Sequence, residues 1–97
     1  MKQVQKMQAD MKKMQEELEQ KSISATAGGG VVEVTVNGHR KVLQITIDPE
    51  VVDPEDIETL QDLLQAAANE ALRKAEELAA AEMQKIAGGM QLPPGLF

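Results

Sequence analysis

The chain predicts an α+β fold. A long N-terminal helix, a three-stranded antiparallel meander and a long C-terminal helix fit within one domain spanning residues 1–97. Three observations carry this. Val4, Met7, Met11, Met14 and Leu18 recur at alternating steps of three and four, the period of one helical face. Val32, Val34 and Val36, then Leu43, Ile45 and Ile47, alternate with polar residues on either side of Asn37-Gly38, which reads as a hairpin. A second series at helical spacing begins after Asp53-Pro54 and runs toward Gly88-Gly89.

The first helix is expected over residues 2–20. Met, Gln, Lys and Glu, all good helix formers, fill nearly every position outside a narrow apolar seam of the coiled-coil kind. Methionine along that seam gives adaptable packing. SISATA, residues 22–27, reads as a weak strand. The glycines 28–30 form a turn, and strands follow over 31–37 and 40–47.

Parity constrains the hairpin. A loop of two or four residues places even-numbered positions opposite odd-numbered ones, and so joins the valines to Leu43, Ile45 and Ile47 on one face. An even loop is therefore expected, with the second helix covering the apolar face. Asp53 is expected to cap that helix, with Pro54 at its first position and acids in its first turn. The stripe Ile57, Leu60, Leu64, Ala67, Ala71 extends through Leu78, Met83 and Ile86, giving a helix over 54–87. Gly88-Gly89 is expected to stop it, leaving an extended tail over 88–97.

Such a helix measures about 50 Å, whereas a compact chain of this length has a diameter of roughly 32 Å. The two helices are expected to lie antiparallel, free ends together, with Lys2 opposite residues 71–73. Residues 75–87 then overhang, and Leu78, Met83 and Ile86 need a partner. A second copy is the simplest one.

Composition narrows the function. Cysteine is absent, so thiol catalysis and thiolate metal sites are excluded, and a reducing cytoplasm suits the chain. The only aromatic residue is Phe97. No apolar run is long enough to span a membrane, and MKQVQKMQAD does not read as a signal peptide. His39 reads as an exposed turn residue, and no base is placed to activate Ser22, Ser24 or a threonine. The glycine run precedes a strand, so it lacks the helix-terminus anion site of a phosphate loop. Asp48, Glu50, Asp53, Glu55 and Asp56 lack calcium-loop spacing and read as helix-start punctuation. Neither a catalytic site, a metal, a cofactor nor a small-molecule substrate is expected.

The basic residues are the functional candidates. The net charge is −6, so nucleic-acid binding requires a local patch. Residues 1–13 hold four lysines and one aspartate. Lys2, Lys6 and Lys13 share a stripe opposite the Val4/Met7/Met11 seam, and Lys12 lies off that stripe. Arg73 and Lys74 are expected near the tip of the first helix, and Lys85 further out. The competing reading is a solvated face of i,i+4 pairs: Lys6–Asp10, Lys12–Glu16, Lys13–Glu17 and Glu70–Lys74. With no aromatic platform for single strands, any binding is expected to be to the duplex backbone.

The order of parts resembles the YbaB/EbfC family of small bacterial nucleoid-associated proteins. The likeness covers essentially the whole chain: MKQVQKMQADMKKMQEEL, then GGGVVEVTVNG with ITIDPEVV, then ETLQDLLQAAANEALRKAEE, and most specifically GGMQLPPGL. The resemblance implies a tweezer-like homodimer of α–β–α protomers in the cytoplasm and nucleoid. It implies that double-stranded DNA binds the helical arms with little sequence preference, affecting nucleoid organisation or gene expression. The implicated basic positions fall on Lys2, Lys6, Lys12, Lys13, Arg73, Lys74 and Lys85. The alternative is a non-enzymatic adaptor that docks a protein partner through the Met-rich helix or the tail.

Overall fold

The computed structural model describes residues 2–89, and the side chains of residues 5–86. Helix α1 (Lys2–Gln20), strands β1 (Ser22–Ala27), β2 (Val32–Asn37) and β3 (Val42–Ile47), a 3₁₀ turn at Pro49–Val51 and helix α2 (Ile57–Gly89) follow one another along the chain. The sheet is an antiparallel meander in the order β1-β2-β3, so the fold is the expected α+β arrangement.

Gly28, Gly29 and Gly30 connect β1 to β2 with φ of 65°, 75° and 98°. Each left-handed position costs a side chain about 1–2 kcal/mol, so three in succession call for glycine.

The β2–β3 connection differs from the even loop. Asn37 N–H donates to the Lys41 carbonyl and Arg40 N–H to that of Asn37, both at 2.9 Å. Gly38, His39 and Arg40 thus form a three-residue loop, closed by Arg40 at φ 65°, the left-handed position such loops require. Parity is recovered by a register shift beyond Thr35: Val36 faces Val42, but Val34 faces Ile45 and Val32 faces Ile47. A bulge supplies the extra residue that the parity argument left out. Gly38 has no positive φ. It answers a steric demand instead, because a Cβ there would lie 2.6 Å from the Leu18 carbonyl oxygen.

The core lies between the sheet and the first half of α2. Val32, Val34, Val36, Ala25, Ala67, Ala71 and Ala75 are at most 4% exposed. Alanines four residues apart keep one helical face flat, so the helix can settle onto the valines. The expectation that α2 covers the whole apolar face does not hold. A helix about 10 Å wide spans two strands spaced by about 4.8 Å, and α2 packs on β1 and β2. On β3, Val42, Leu43 and Ile45 remain 48–53% exposed.

Helix α2 starts at Ile57, not Pro54. The Asp53 carboxylate accepts from Glu55 N–H at 3.0 Å and closes a separate turn. The Asp56 carboxylate then accepts from the Thr59 N–H at 3.3 Å and hydroxyl at 2.7 Å, acting as the helix cap. Asp48 similarly opens the 3₁₀ turn by accepting from Glu50 N–H. At the other end the helix carries through Gly88 and Gly89, so the glycines do not stop it at Ala87. The expected tail from Met90 onward lies outside the described residues.

The helix register also differs from expectation. Gly28 sits against Leu63 at the glycine-turn end of the sheet, and the hairpin tip at the other end meets Leu18. Helix α2 therefore crosses the whole sheet before reaching α1. Met14 and Leu18, 5% and 2% exposed, share a cleft of about 360 Å³ with Ala75, Ala79 and Met83. Further out, Lys6, Asp10 and Lys13 face Glu82, Lys85 and Ile86. The projection is thus a two-helix arm and not an overhang of α2 alone. The earlier register neglected the turns of α2 consumed in covering the strands. The molecule extends 63 × 26 × 16 Å with a radius of gyration of 18.0 Å, against roughly 12–13 Å for a compact chain of this length.

Two substitutions test the core. Val34→Ala should lower stability by roughly 2–3 kcal/mol through lost burial and the cavity left behind. Ala71→Leu should lower it by about 1–3 kcal/mol by prising α2 off the sheet. Urea-denaturation midpoints at fixed protein concentration measure both.

Candidate nucleic-acid interface

Helix α1 presents Lys6, Lys12 and Lys13 as exposed side chains. Among the described residues none of the three forms an ion pair. The i,i+4 pairings with Asp10, Glu16 and Glu17 do not form. Solvated pairs of this kind gain little Coulomb energy against the entropy of holding two long side chains together. The Lys2 side chain lies outside those described.

Lys6 and Lys13 do not point away from α2 as the helical wheel implied. With Asp10 and Glu17 they form one wall of an open cleft of about 330 Å³. Glu82, Lys85 and Ile86 form the opposite wall, with Met14 between. Lys85 therefore joins Lys6 and Lys13. Arg73 and Lys74 do not: they lie on the part of α2 that crosses the sheet.

Arg73 is held by two carboxylates. Its Nε donates to Glu70 Oε2 at 3.0 Å, and a further nitrogen donates to Glu77. The hydrogen bond with Glu70, aided by both negative charges, pushes the guanidinium pKa above its ordinary range. The same bond holds the Glu70 carboxyl below its own. Glu70 therefore pairs with Arg73 and not with Lys74, whose ammonium approaches the Ser24 carbonyl oxygen at 3.4 Å.

Glu82 ties the arm together. It accepts from the Lys21 ammonium at 3.1 Å and lies 3.4 Å from that of Lys85. The Lys21 hydrogen bond, helped by Lys85 and opposed by partial desolvation, holds its carboxyl below the usual range.

Sequence reasoning missed three basic residues at the root of the arm. Lys21 bridges to α2 through Glu82. Arg40 Nη1 donates to Glu76 Oε1 at 3.0 Å. Lys41 is exposed and without an ion pair among the described residues. His39 places Nε2 2.7 Å from the Gln15 carbonyl oxygen. The His39-Arg40-Lys41 run was visible as local positive charge, but nothing in its spacing showed that it meets both helices.

Charge is segregated along the molecule. Residues 48–62 carry seven carboxylates and no lysine or arginine. They follow β3 at the glycine-turn end, where Asp48 N–H donates to the Val31 carbonyl. The arm projects from the opposite end. Six strand residues separate the two ends by about 20 Å, more than twice the Debye length of about 8 Å at physiological salt. Outside that segment ten lysines and arginines stand against nine carboxylates, and α1 carries four of each, so the negative excess is confined to the acidic pole and α1 is neutral overall.

Among the described residues no group of histidine and carboxylate side chains is placed to hold a metal ion. No described helix is long and apolar enough to cross a membrane. What the arm offers is cationic side chains without ion partners on an elongated, projecting surface.

Comparison with known proteins decides the family. Residues 1–90 match the YbaB/EbfC DNA-binding family. This chain belongs to that family. Among YbaB/EbfC relatives, a protein of Alkaliphilus metalliredigens named "Nucleoid-associated protein" is 60% identical over 97 residues, covering 100% of this chain and 84% of its own. A protein of the same name from Acetivibrio thermocellus is 58% identical over 96 residues, covering 99% of this chain and 85% of its own. The crystal structure of an uncharacterized Helicobacter pylori protein superposes with a TM-score of 0.73 at 25% identity, over 92% of this chain and 89% of that one. The structural core is thus shared by a chain that has diverged in three residues of four.

The arm's Lys21–Glu82–Lys85 link gives a pH prediction for this YbaB/EbfC member. Folding favours the ionised Glu82 carboxyl. Its stabilisation is complete above the ordinary glutamate range and is lost as pH falls through the lowered value. Lys21→Met should move the Glu82 titration midpoint upward, toward that of a glutamate in the unfolded chain. Carboxyl-carbon NMR across an acid titration reads this directly.

Proposed function

We propose that the protein is a nucleoid-associated, non-enzymatic DNA-binding protein. In this reading it acts as a homodimer whose two-helix arms contact the duplex backbone with little sequence preference. The observation that carries the reading is that Lys6, Lys12 and Lys13 of α1 form no ion pair among the described residues, on an arm held away from the acidic pole, in a member of a DNA-binding family. The family's relatives bear the name nucleoid-associated, which supports a place on the nucleoid in the cytoplasm.

Lys6, Lys12 and Lys13 are the principal phosphate contacts, with Lys2 continuing the series and Lys85 adding to it across the cleft. Lys74 contributes less because it reaches toward β1. Arg73, engaged by two glutamates, contributes least. Ammonium groups suit this role because they supply charge without reading base edges.

The second copy seats on the strip of sheet that α2 leaves open. Val42, Leu43 and Ile45, with Val52 and Ile57, are exposed large apolar residues at the β3 side and the start of α2. Strand β3 is a sheet edge, and its unpaired main-chain groups favour strand addition. A two-fold contact there brings two hubs together and leaves both arms free.

In a salt series with short duplexes, log K should fall linearly with log salt with a slope of roughly −3 to −5, a handful of phosphates. Lys6→Glu/Lys13→Glu should flatten the slope by about 2 and weaken binding on unrelated sequences alike. A protein that retains no duplex at low salt and micromolar concentration overturns the reading. Separately, Leu43→Asp/Ile45→Asp should shift the mass from dimer to monomer in analytical ultracentrifugation. A dimer unaffected by these charges would place the interface elsewhere.

A further inference from the structure

We propose that the tip of the β2–β3 hairpin is the fork that sets the spread of the two arm helices, with His39 and Arg40 as positioning residues for the nucleic-acid interface. This rests on the arm being that interface, as proposed above.

The hairpin tip touches both helices at the root of the arm. On the α1 side, Gly38 N–H donates to the Leu18 carbonyl at 2.8 Å, a bond shared with Lys21 N–H at 3.2 Å. One turn earlier, His39 lies 2.7 Å from the Gln15 carbonyl oxygen, and its ring donates through Nε2–H because a carbonyl can only accept. The hairpin thus holds α1 through carbonyls on successive turns, two points on one line. On the α2 side, Arg40 pairs with Glu76, one residue from the buried Ala75 that ends the sheet-facing stripe. The tip itself is braced: Asn37 Oδ1 accepts from His39 N–H at 2.9 Å and Lys41 N–H at 3.0 Å.

Further out, the buried Met14 and the Lys21–Glu82 ion pair join the helices, and the rest of their facing surfaces stay apart. The space between them is two open clefts of about 330 and 360 Å³, lined by methionine, alanine and charged side chains. A side chain packed against such gaps has few partners to resist displacement. Geometry then amplifies small changes at the root. From Gln15 to the start of α1 the helix runs about 20 Å, so a 10° rotation moves its tip by about 3–4 Å. That matches the axial rise per phosphate of one DNA strand, about 3.4 Å. A lysine row displaced by one such step no longer meets the same phosphates.

The test uses the full chain, which contains no cysteine. Spin labels on Gln5→Cys and Gln84→Cys, diluted with unlabelled protein, report the distance between the helices within one arm. His39→Ala/Arg40→Asn should broaden that distribution by several ångströms. It should also weaken duplex binding three- to tenfold at fixed salt, with the urea midpoint unchanged. Asparagine is chosen because it tolerates the left-handed backbone of Arg40. Lys41→Ser removes one charge from the same hairpin while leaving both helix contacts in place, so it should leave the distance unchanged and binding within twofold. An unchanged distance in the double variant overturns the fork. So does a Lys41→Ser loss as large as that of the double variant, which would make the hairpin a direct phosphate contact. If the parent protein retains no duplex, the interface reading fails by itself, and the distance measurement still decides whether the hairpin holds the helices.

Discussion

The relation between α2 and the sheet it covers governs the rest of the molecule. The helix has 33 residues and is one helix wide. The sheet is three strands wide and six residues deep. Neither dimension matches. Across the strands the helix is too narrow, so it buries β2, nests β1 and leaves the apolar side of β3 open. Along the strands it is too long, so its second half leaves the sheet and pairs with α1. Both the uncovered strip and the projecting arm are remainders of that one mismatch.

The two halves of α2 consequently pack by different rules. Over the sheet, alanines at 67, 71 and 75 meet valines with almost no exposure, the close packing of a protein interior. Along the arm, Met14 and Leu18 are buried beside Ala75, Ala79 and Met83, but the cleft they line stays open to water. An alanine-poor, tightly filled arm would be more stable, but its charged residues would be drawn into fixed pairs or displaced by apolar ones. The loose arm keeps lysines at its rim in water. Cohesion comes from Glu82, which reaches Lys21 just past the end of α1 as well as Lys85 on its own helix, and from the hairpin contacts at the arm's base.

The charge pattern follows the same axis. Carboxylates gather where the chain turns from β3 into α2, because that segment needs successive caps: Asp48, Asp53 and Asp56 each accept a main-chain N–H. Those structural acids account for much of the negative charge. The acids of α2 are engaged: Glu70 and Glu77 clamp Arg73 over the sheet, and at the arm Glu76 holds Arg40 and Glu82 holds Lys21. On α1, Lys6, Lys12 and Lys13 and the carboxylates of Asp10, Glu16, Glu17 and Glu19 form no ion pairs among the described residues. An acidic composition and exposed lysines without ion pairs therefore coexist on one small chain.

Several features were legible in the residues alone, because they depend on neighbours in sequence. The valine alternation, the glycine turn and the three-and-four spacing of apolar residues determine the α+β class and the antiparallel meander, since strand and helix periods are properties of the local backbone. The family likeness was carried by the same stretches. The loop at Gly38–Arg40 was not legible: a bulge beyond Thr35 offsets an odd loop, and only the pairing across strands shows it. The start of α2 at Ile57, capped by Asp56, was obscured by three aspartates competing for one role. The sequence by itself determined that helices must outreach a small sheet and that positive charge collects near the N-terminus. Tertiary structure alone decided which strands are covered, that the arm contains both helices, which lysines escape pairing, and that His39 and Arg40 grip the arm's root. Those outcomes depend on contacts between residues distant in the chain, whose geometry no local period encodes.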